Sequence, residues 1–188
     1  MSKRSVALLL TLVMVLSAAT AAAAVKAIGP DPDEVFLAYH DPYFDLEIEY
    51  PTSWRVQEGA GGSLVAFASP PEPGGAQFSV NVSVAVEDLA GRPGTKLAEY
   101  EQAATGLLAK AGSDFALKDR RNVTVSGRPA VLIEYTYRQG ISQLHALRSF
   151  TIANGKAFVT TFTAEEAGFA RYKQVGLQII DSLEIAPD

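Results

Sequence analysis

Leu144 to Ile185 reads LHALRSFTIANGKAFVTTFTAEEAGFARYKQVGLQIIDSLEI, and this stretch decides the fold. Two runs rich in aromatic and β-branched residues flank Asn154-Gly155. That dipeptide suits a two-residue type I′ hairpin, because both turn positions need φ > 0. Counting back from the turn sets Phe150 against Val159, Leu147 against Phe162 and His145 against Ala164. The second run ends at Thr163, and Glu166 lies three residues on, the pattern of a T-x-x-E capping box. Phe169, Tyr172, Val175, Ile179, Ile180 and Leu183 then recur at helical spacing and form one apolar stripe. A hairpin whose second strand feeds an amphipathic helix lays that helix on an antiparallel sheet.

The preceding chain supplies more of the same. Tyr43 to Tyr50 alternates, with Phe44, Leu46, Ile48 and Tyr50 on one face and Asp45, Glu47 and Glu49 on the other. Pro51 to Trp54 ends it, and Trp54, the single tryptophan, reads as an aromatic plug at a sheet edge. Ser63–Ala68 and Phe78–Val86 read as further strands. Thr95 is expected to cap a helix over 95–111 that stops at Gly112. Strands over Phe115–Val125 and Ala130–Arg138 lead back to the hairpin. Short turns between consecutive strands imply antiparallel pairing rather than βαβ crossovers. The expected fold is α+β: an α/β/α sandwich with a central antiparallel sheet of six or seven strands and helices near 95–111 and 164–183. Its core is expected at Phe44, Leu46, Ile48, Val80, Val82, Val84, Leu107, Ile133, Tyr135, Phe150, Phe158, Phe162, Phe169, Ile179 and Leu183.

The first residues read as a targeting segment. Lys3 and Arg4 precede the apolar run Val6–Leu16, and alanines crowd 18–24. We read residues 1–24 as a secretory signal peptide, 25–42 as a linker and 43–188 as the folded domain. Cleavage would leave no integral membrane span. It would also remove two of the 16 basic residues, leaving 14 against 21 acidic ones, a net charge of −7. Such a chain gains nothing from a phosphate backbone, so nucleic acid is not an expected partner. With no cysteine there is no disulfide, no thiol nucleophile and no Cys-based zinc site. Asp31, Asp33 and Glu34 form an acidic cluster without the D-x-D-x-D-G pattern of a calcium loop.

Catalytic signatures are missing: there is no G-x-S-x-G, H-E-x-x-H or S-x-x-K with K-T-G. Gly59 to Gly62 lacks the G-K-[ST] of a phosphate loop. Of two histidines, His40 precedes the first strand and His145 lies near the end of the hairpin, close to Glu166. His145 and Glu166 are the best candidates for a divalent metal or an acid–base pair. One histidine and one carboxylate fall short of the ligands a tight site wants, so no cofactor is expected.

Several motifs occur together in order. Leu46-Glu47-Ile48-Glu49-Tyr50-Pro51-Thr52-Ser53-Trp54 resembles the F-x-x-x-Y-P-x-x-W opening of PsbP-like proteins, with leucine for phenylalanine. Gly127-Arg128-Pro129-Ala130 resembles their G-x-P-A turn. Asn154-Gly155-Lys156-Ala157-Phe158 resembles their D/N-G-K-x-Y/F hairpin, and Ser182 to Ile185 is similar to their closing S-F-x-I. The resemblance spans residues 36 to 186. It implies an α/β/α sandwich and a non-catalytic exported binding or accessory module. Plant and cyanobacterial members of the family are extrinsic lumenal subunits of photosystem II, and bacterial relatives are exported. A protein partner at an extracytoplasmic or photosystem-type membrane complex is therefore implied. The implied location is periplasm, cell exterior or thylakoid lumen. Similar folds bind a small nuclear GTPase, a compartment that a signal peptide excludes. His145 falls where plant members carry the histidine of K-G-K-H-Q-L, but Gln143 and Leu144 replace the flanking residues. Two other readings stand beside this one: a small-molecule or lipid-binding envelope protein, and an unrecognised hydrolase built around His145 and Glu166.

Overall fold

A computed structural model describes residues 34–71 and 78–187. The signal-peptide reading, Asp31 and Asp33 lie outside these residues. The chain order is β1 (Phe36–Asp41), β2 (Leu46–Pro51), β3 (Arg55–Glu58), β4 (Val65–Ala68), β5 (Asn81–Asp88), α1 (Leu97–Ala111), β6 (Ser113–Val125), β7 (Arg128–Gln139), β8 (Ser142–Ala153), β9 (Lys156–Glu165), α2 (Glu166–Asp181) and β10 (Glu184–Ile185).

Seven strands form one antiparallel sheet in the order β3-β4-β5-β9-β8-β7-β6. The β8–β9 hairpin supplies its centre. Phe150 pairs with Val159, Leu147 with Phe162 and His145 with Ala164. Asn154 and Gly155 take φ values of 51° and 67°, as a type I′ turn requires. Open space surrounds the Gly155 Cβ position, so a side chain there would suffer only backbone strain. Gly155→Val is accordingly expected to cost about 1–3 kcal/mol. A urea midpoint equal to that of the parent would place the turn elsewhere.

Both faces of the sheet are buried. Ala85, Val131, Ile133, Tyr135, Ala146, Phe150 and Val159 of the sheet pack with Tyr100 and Ala104 of α1. On the other face Val82, Val84, Leu132, Leu147, Phe158 and Phe162 meet Phe169, Tyr172, Val175, Ile179 and Ile180 of α2. This is the expected α/β/α layering. No helix among the described residues is long and apolar enough to cross a membrane.

Several expectations are corrected. Residues 36–41, read as linker, form strand β1, because their alternation pairs them with β2 along its full length. Strand β2 does not join the main sheet. With β1 and the two-residue β10 it makes a second, three-stranded sheet. Tyr39 and Tyr50 of this small sheet pack on Phe67 of β4 at centroid distances of 5.9 and 4.7 Å. Burial, and the Glu58 and Asp41 carboxylates beside it, push the Tyr39 hydroxyl up to about 12. Neither threonine caps a helix. Thr95 donates its hydroxyl to the Arg92 carbonyl, and α1 starts beyond Lys96. Thr163 stays in the ladder between Asn81 and Ala146, so α2 starts two residues later, beyond Glu165. Phe44 and Leu107 are only partly buried, whereas the other thirteen expected core residues are buried.

Candidate functional site

Elementary geometry brings charged residues together where β7, β8 and α2 meet. Glu134 is the one charge in the apolar run Ala130–Tyr137. Its neighbour in register is Leu147, and His145 pairs with Thr136 two residues along, so Glu134 and His145 share a face. Glu134 Oε1 lies 2.9 Å from His145 Nε2. On the opposite side of the ring, Glu166 Oε2 lies 3.0 Å from His145 Nδ1. Freed from any capping role, the Glu166 carboxylate is spent on the histidine. Lys173, two turns into α2, donates from Nζ to Glu134 Oε2 at 2.7 Å. The His145 and Phe169 rings are stacked, with centroids 3.4 Å apart and planes 4° off parallel. Lys173 Nζ sits 5.3 Å from the same Phe169 ring.

The result is a chain, Glu166–His145–Glu134–Lys173, clamped over an aromatic ring. His145 and Glu134 are nearly buried, at 12% and 13% side-chain exposure, while half of Glu166 faces solvent. With both nitrogens protonated the imidazole donates to both carboxylates; with one, a carboxylate faces a lone pair. The arrangement ties the first turn of α2 to two strands.

The sequence placed His145 and Glu166 together, and the structure does the same. It overlooked Glu134 and Lys173. Their signals were available: a lone acid inside an apolar strand, and a lysine one turn beyond Phe169 on the helix. His40 lies apart from this group, on β1 opposite Glu47 in the smaller sheet. Glu34 accepts the Ser53 amide at 3.0 Å.

The two carboxylates hold different nitrogens of the ring, so they do not converge on a common point. Among the described residues no group of three or more His, Asp or Glu side chains is placed to hold a metal ion. Ser142 donates its hydroxyl to Glu165 Oε1 at 3.1 Å. We expect the midpoint of thermal unfolding to be unmoved by micromolar zinc, manganese or calcium. A rise of several degrees that His145→Ala abolishes would make this cluster a metal site.

Two other charged groups are buried under the α1 face. Arg148, 6% exposed, donates from Nε to Thr161 Oγ1 at 2.8 Å. Burial raises the hydroxyl pKa of Tyr100, Tyr135 and Tyr137 around it, even though the guanidinium pulls each one down. These tyrosines therefore remain hydrogen-bond donors across the physiological range. Tyr100 donates to Glu87 Oε2 at 2.8 Å. Glu101 of α1, 5% exposed, is held by Arg120 of β6, whose Nε and Nη2 are both 3.1 Å from Oε2. Thr105 Oγ1 lies 3.2 Å from the other oxygen. Beside this pair runs an open groove of about 370 Å³ lined by Ala98, Glu101, Gln102, Thr105 and Arg120.

A family model described as PsbP matches residues 34–185. The solution structure of cyanobacterial PsbP (CyanoP) from Synechocystis superposes with a TM-score of 0.61 at 17% identity, covering 86% of this chain and 99% of that one. LpqN of Mycobacterium tuberculosis, described as involved in cell envelope biogenesis, gives 0.58 at 16% identity, over 82% and 92%. The Saccharomyces cerevisiae Ran-binding protein Mog1p gives 0.57 at 7% identity, over 82% and 97%. A search of curated proteins returns no match. At these identities the structural matches establish a shared fold.

Proposed function

This chain belongs to the PsbP family, and on that premise we propose that it is a non-catalytic accessory module that docks on an extracytoplasmic membrane complex. The observation that carries the reading is the family match across 34–185, nearly all of the described chain. The site chemistry is compatible with it. Both ring nitrogens of His145 and both carboxylate oxygens of Glu134 are already engaged by neighbours, which favours a rigid surface over a reacting centre. Export is supported by the Lys3-Arg4 region, the Val6–Leu16 run and the alanines that follow. It is supported also by the described role of LpqN in envelope biogenesis.

Intact-mass measurement tests export: the protein recovered outside the cytoplasm should begin near Val25. Chemical cross-linking in the same intact cells should join it to a subunit of one membrane complex. Full-length chain retained in the cytoplasm, with no cross-link to a membrane complex, would overturn the proposal.

A further inference from the structure

We infer that the outer edge of β6 from Asp119 to Val125 receives an extended acidic segment of a partner protein as an eighth strand. This rests on the accessory-module reading and names the surface and the kind of partner. Strand β6 is 13 residues long and terminates the seven-stranded sheet. Among the described residues no strand pairs with its outer side. An edge of this kind presents a row of unpaired amides and carbonyls, a template for another chain.

Proteins blunt such edges with bulges, and β6 does so over only half its length. Register shifts occur between Ser113 and Ala116 and between Leu117 and Asp119. From Asp119 to Val125 every residue pairs with β7 in unbroken register. That leaves a regular edge about 23 Å long. Residues 118–122 and Thr124 are exposed along it.

The groove beside Arg120 supplies a second, independent observation. An added strand would lie about 4.8 Å outside β6 and direct alternate side chains toward the α1 side. There they meet the groove formed by Ala98, Glu101, Gln102, Thr105 and Arg120. Arg120 keeps 40% of its side chain exposed while Nε and Nη2 hold Glu101, and a guanidinium carries further N–H donors beyond these two. Lys118, Arg120 and Arg121 outnumber the carboxylates of Asp119 and Glu101 that pair with the two arginines, a local excess of cation on a chain whose net charge is −5, and the arginine side chains stay 40% and 43% exposed. This local charge selects carboxylates on the incoming strand. A second copy of the chain is a poorer occupant, because pairing β6 with β6 would bring Lys118, Arg120 and Arg121 of both copies together.

The test uses the full chain with the peptide acetyl-Thr-Glu-Val-Glu-Val-Glu-Thr-amide. Hydrogen exchange of the amides from 119 to 125 should slow on adding it, and a peptide with lysine for glutamate should have no effect. Glu101→Gln/Arg120→Gln keeps the buried hydrogen-bonded pair without its charges and should weaken binding about tenfold or more. No protection over 119–125 in the folded protein overturns the inference. Protection that appears without peptide and rises with protein concentration also overturns it, in favour of a second copy. A membrane partner still cross-linked by the charge-neutral variant defeats this surface and leaves the accessory reading intact. A parent protein with no membrane partner defeats that reading instead.

Discussion

Gly176→Ala is expected to destabilise the protein by about 2 kcal/mol, although alanine is the better helix former by about 1 kcal/mol. Gly176 is buried in the middle of α2, where that helix lies on the sheet. A Cβ built there would stand 2.5, 2.6 and 2.9 Å from three ring carbons of Phe162. Contacts below 3.0 Å force something to move. Phe162 cannot yield cheaply: it is fully buried in β9, and its ring packs 5.7 Å from that of Phe169. Nor can the helix lift, because Phe169, Tyr172, Val175, Ile179 and Ile180 are anchored in the same core. Urea unfolding reads the loss. Phe162→Ala removes the obstructing Cγ, Cδ1 and Cδ2 atoms at the cost of a cavity, and in that background Gly176→Ala should be much better tolerated. The coupling between the two substitutions is expected to be about 1–2 kcal/mol. A Gly176→Ala variant as stable as its parent would mean that α2 stands further from the sheet.

The same contact shows what could be read from the sequence and what could not. Period and turn chemistry are local, and they set the hairpin register to the residue: His145 does face Ala164. The α2 stripe likewise predicted which face of that helix is buried, because burial selects apolar residues at the period of the element. Close approach is not local. Gly176 reads as a weak helix residue until Phe162 is placed beneath it. The second sheet was invisible for a similar reason. Strand β10 has only two residues and is fixed by side chains rather than by pattern: Ser126 Oγ accepts the Ile185 amide at 2.8 Å, and Arg128 reaches the Ile185 and Ala186 carbonyls at 3.1 and 2.8 Å. The capping box failed because the ladder of β9 continued to Glu165, and strand pairing outweighed a local cap. At the charged cluster, the turn count brought His145 to Glu166. Glu134 required knowing that β7 lies beside β8 with Thr136 opposite His145.

Glu101 and Arg120 give an asymmetric expectation. Glu101 occupies a position on the sheet-facing side of α1, four residues after Leu97 and three before Ala104, where an apolar residue would ordinarily stand. It is tolerated there because Arg120, reaching over from β6, and the Thr105 hydroxyl engage its oxygens. Arg120→Ala removes the cation and leaves a carboxylate of 7% side-chain exposure without its partner. Severing a buried pair in this way costs about 3–5 kcal/mol; the solvent already reaching Arg120 lowers the expectation to about 2 kcal/mol. Glu101→Leu removes the buried charge instead, leaves Arg120 free to turn to water, and adds a helix-favouring apolar side chain against the sheet. Its expected effect is within about 1 kcal/mol of zero. Glu101→Leu/Arg120→Ala should then recover most of what Arg120→Ala loses, because no buried charge remains to be compensated. Urea unfolding of the three variants distinguishes this from simple loss of packing. If Arg120→Ala and Glu101→Leu destabilise equally and the double variant sums them, the pair contributes through contact area alone. If the double variant is the more stable of the two Arg120→Ala proteins, the arginine's structural role is to hold a charge that the helix has placed against the sheet.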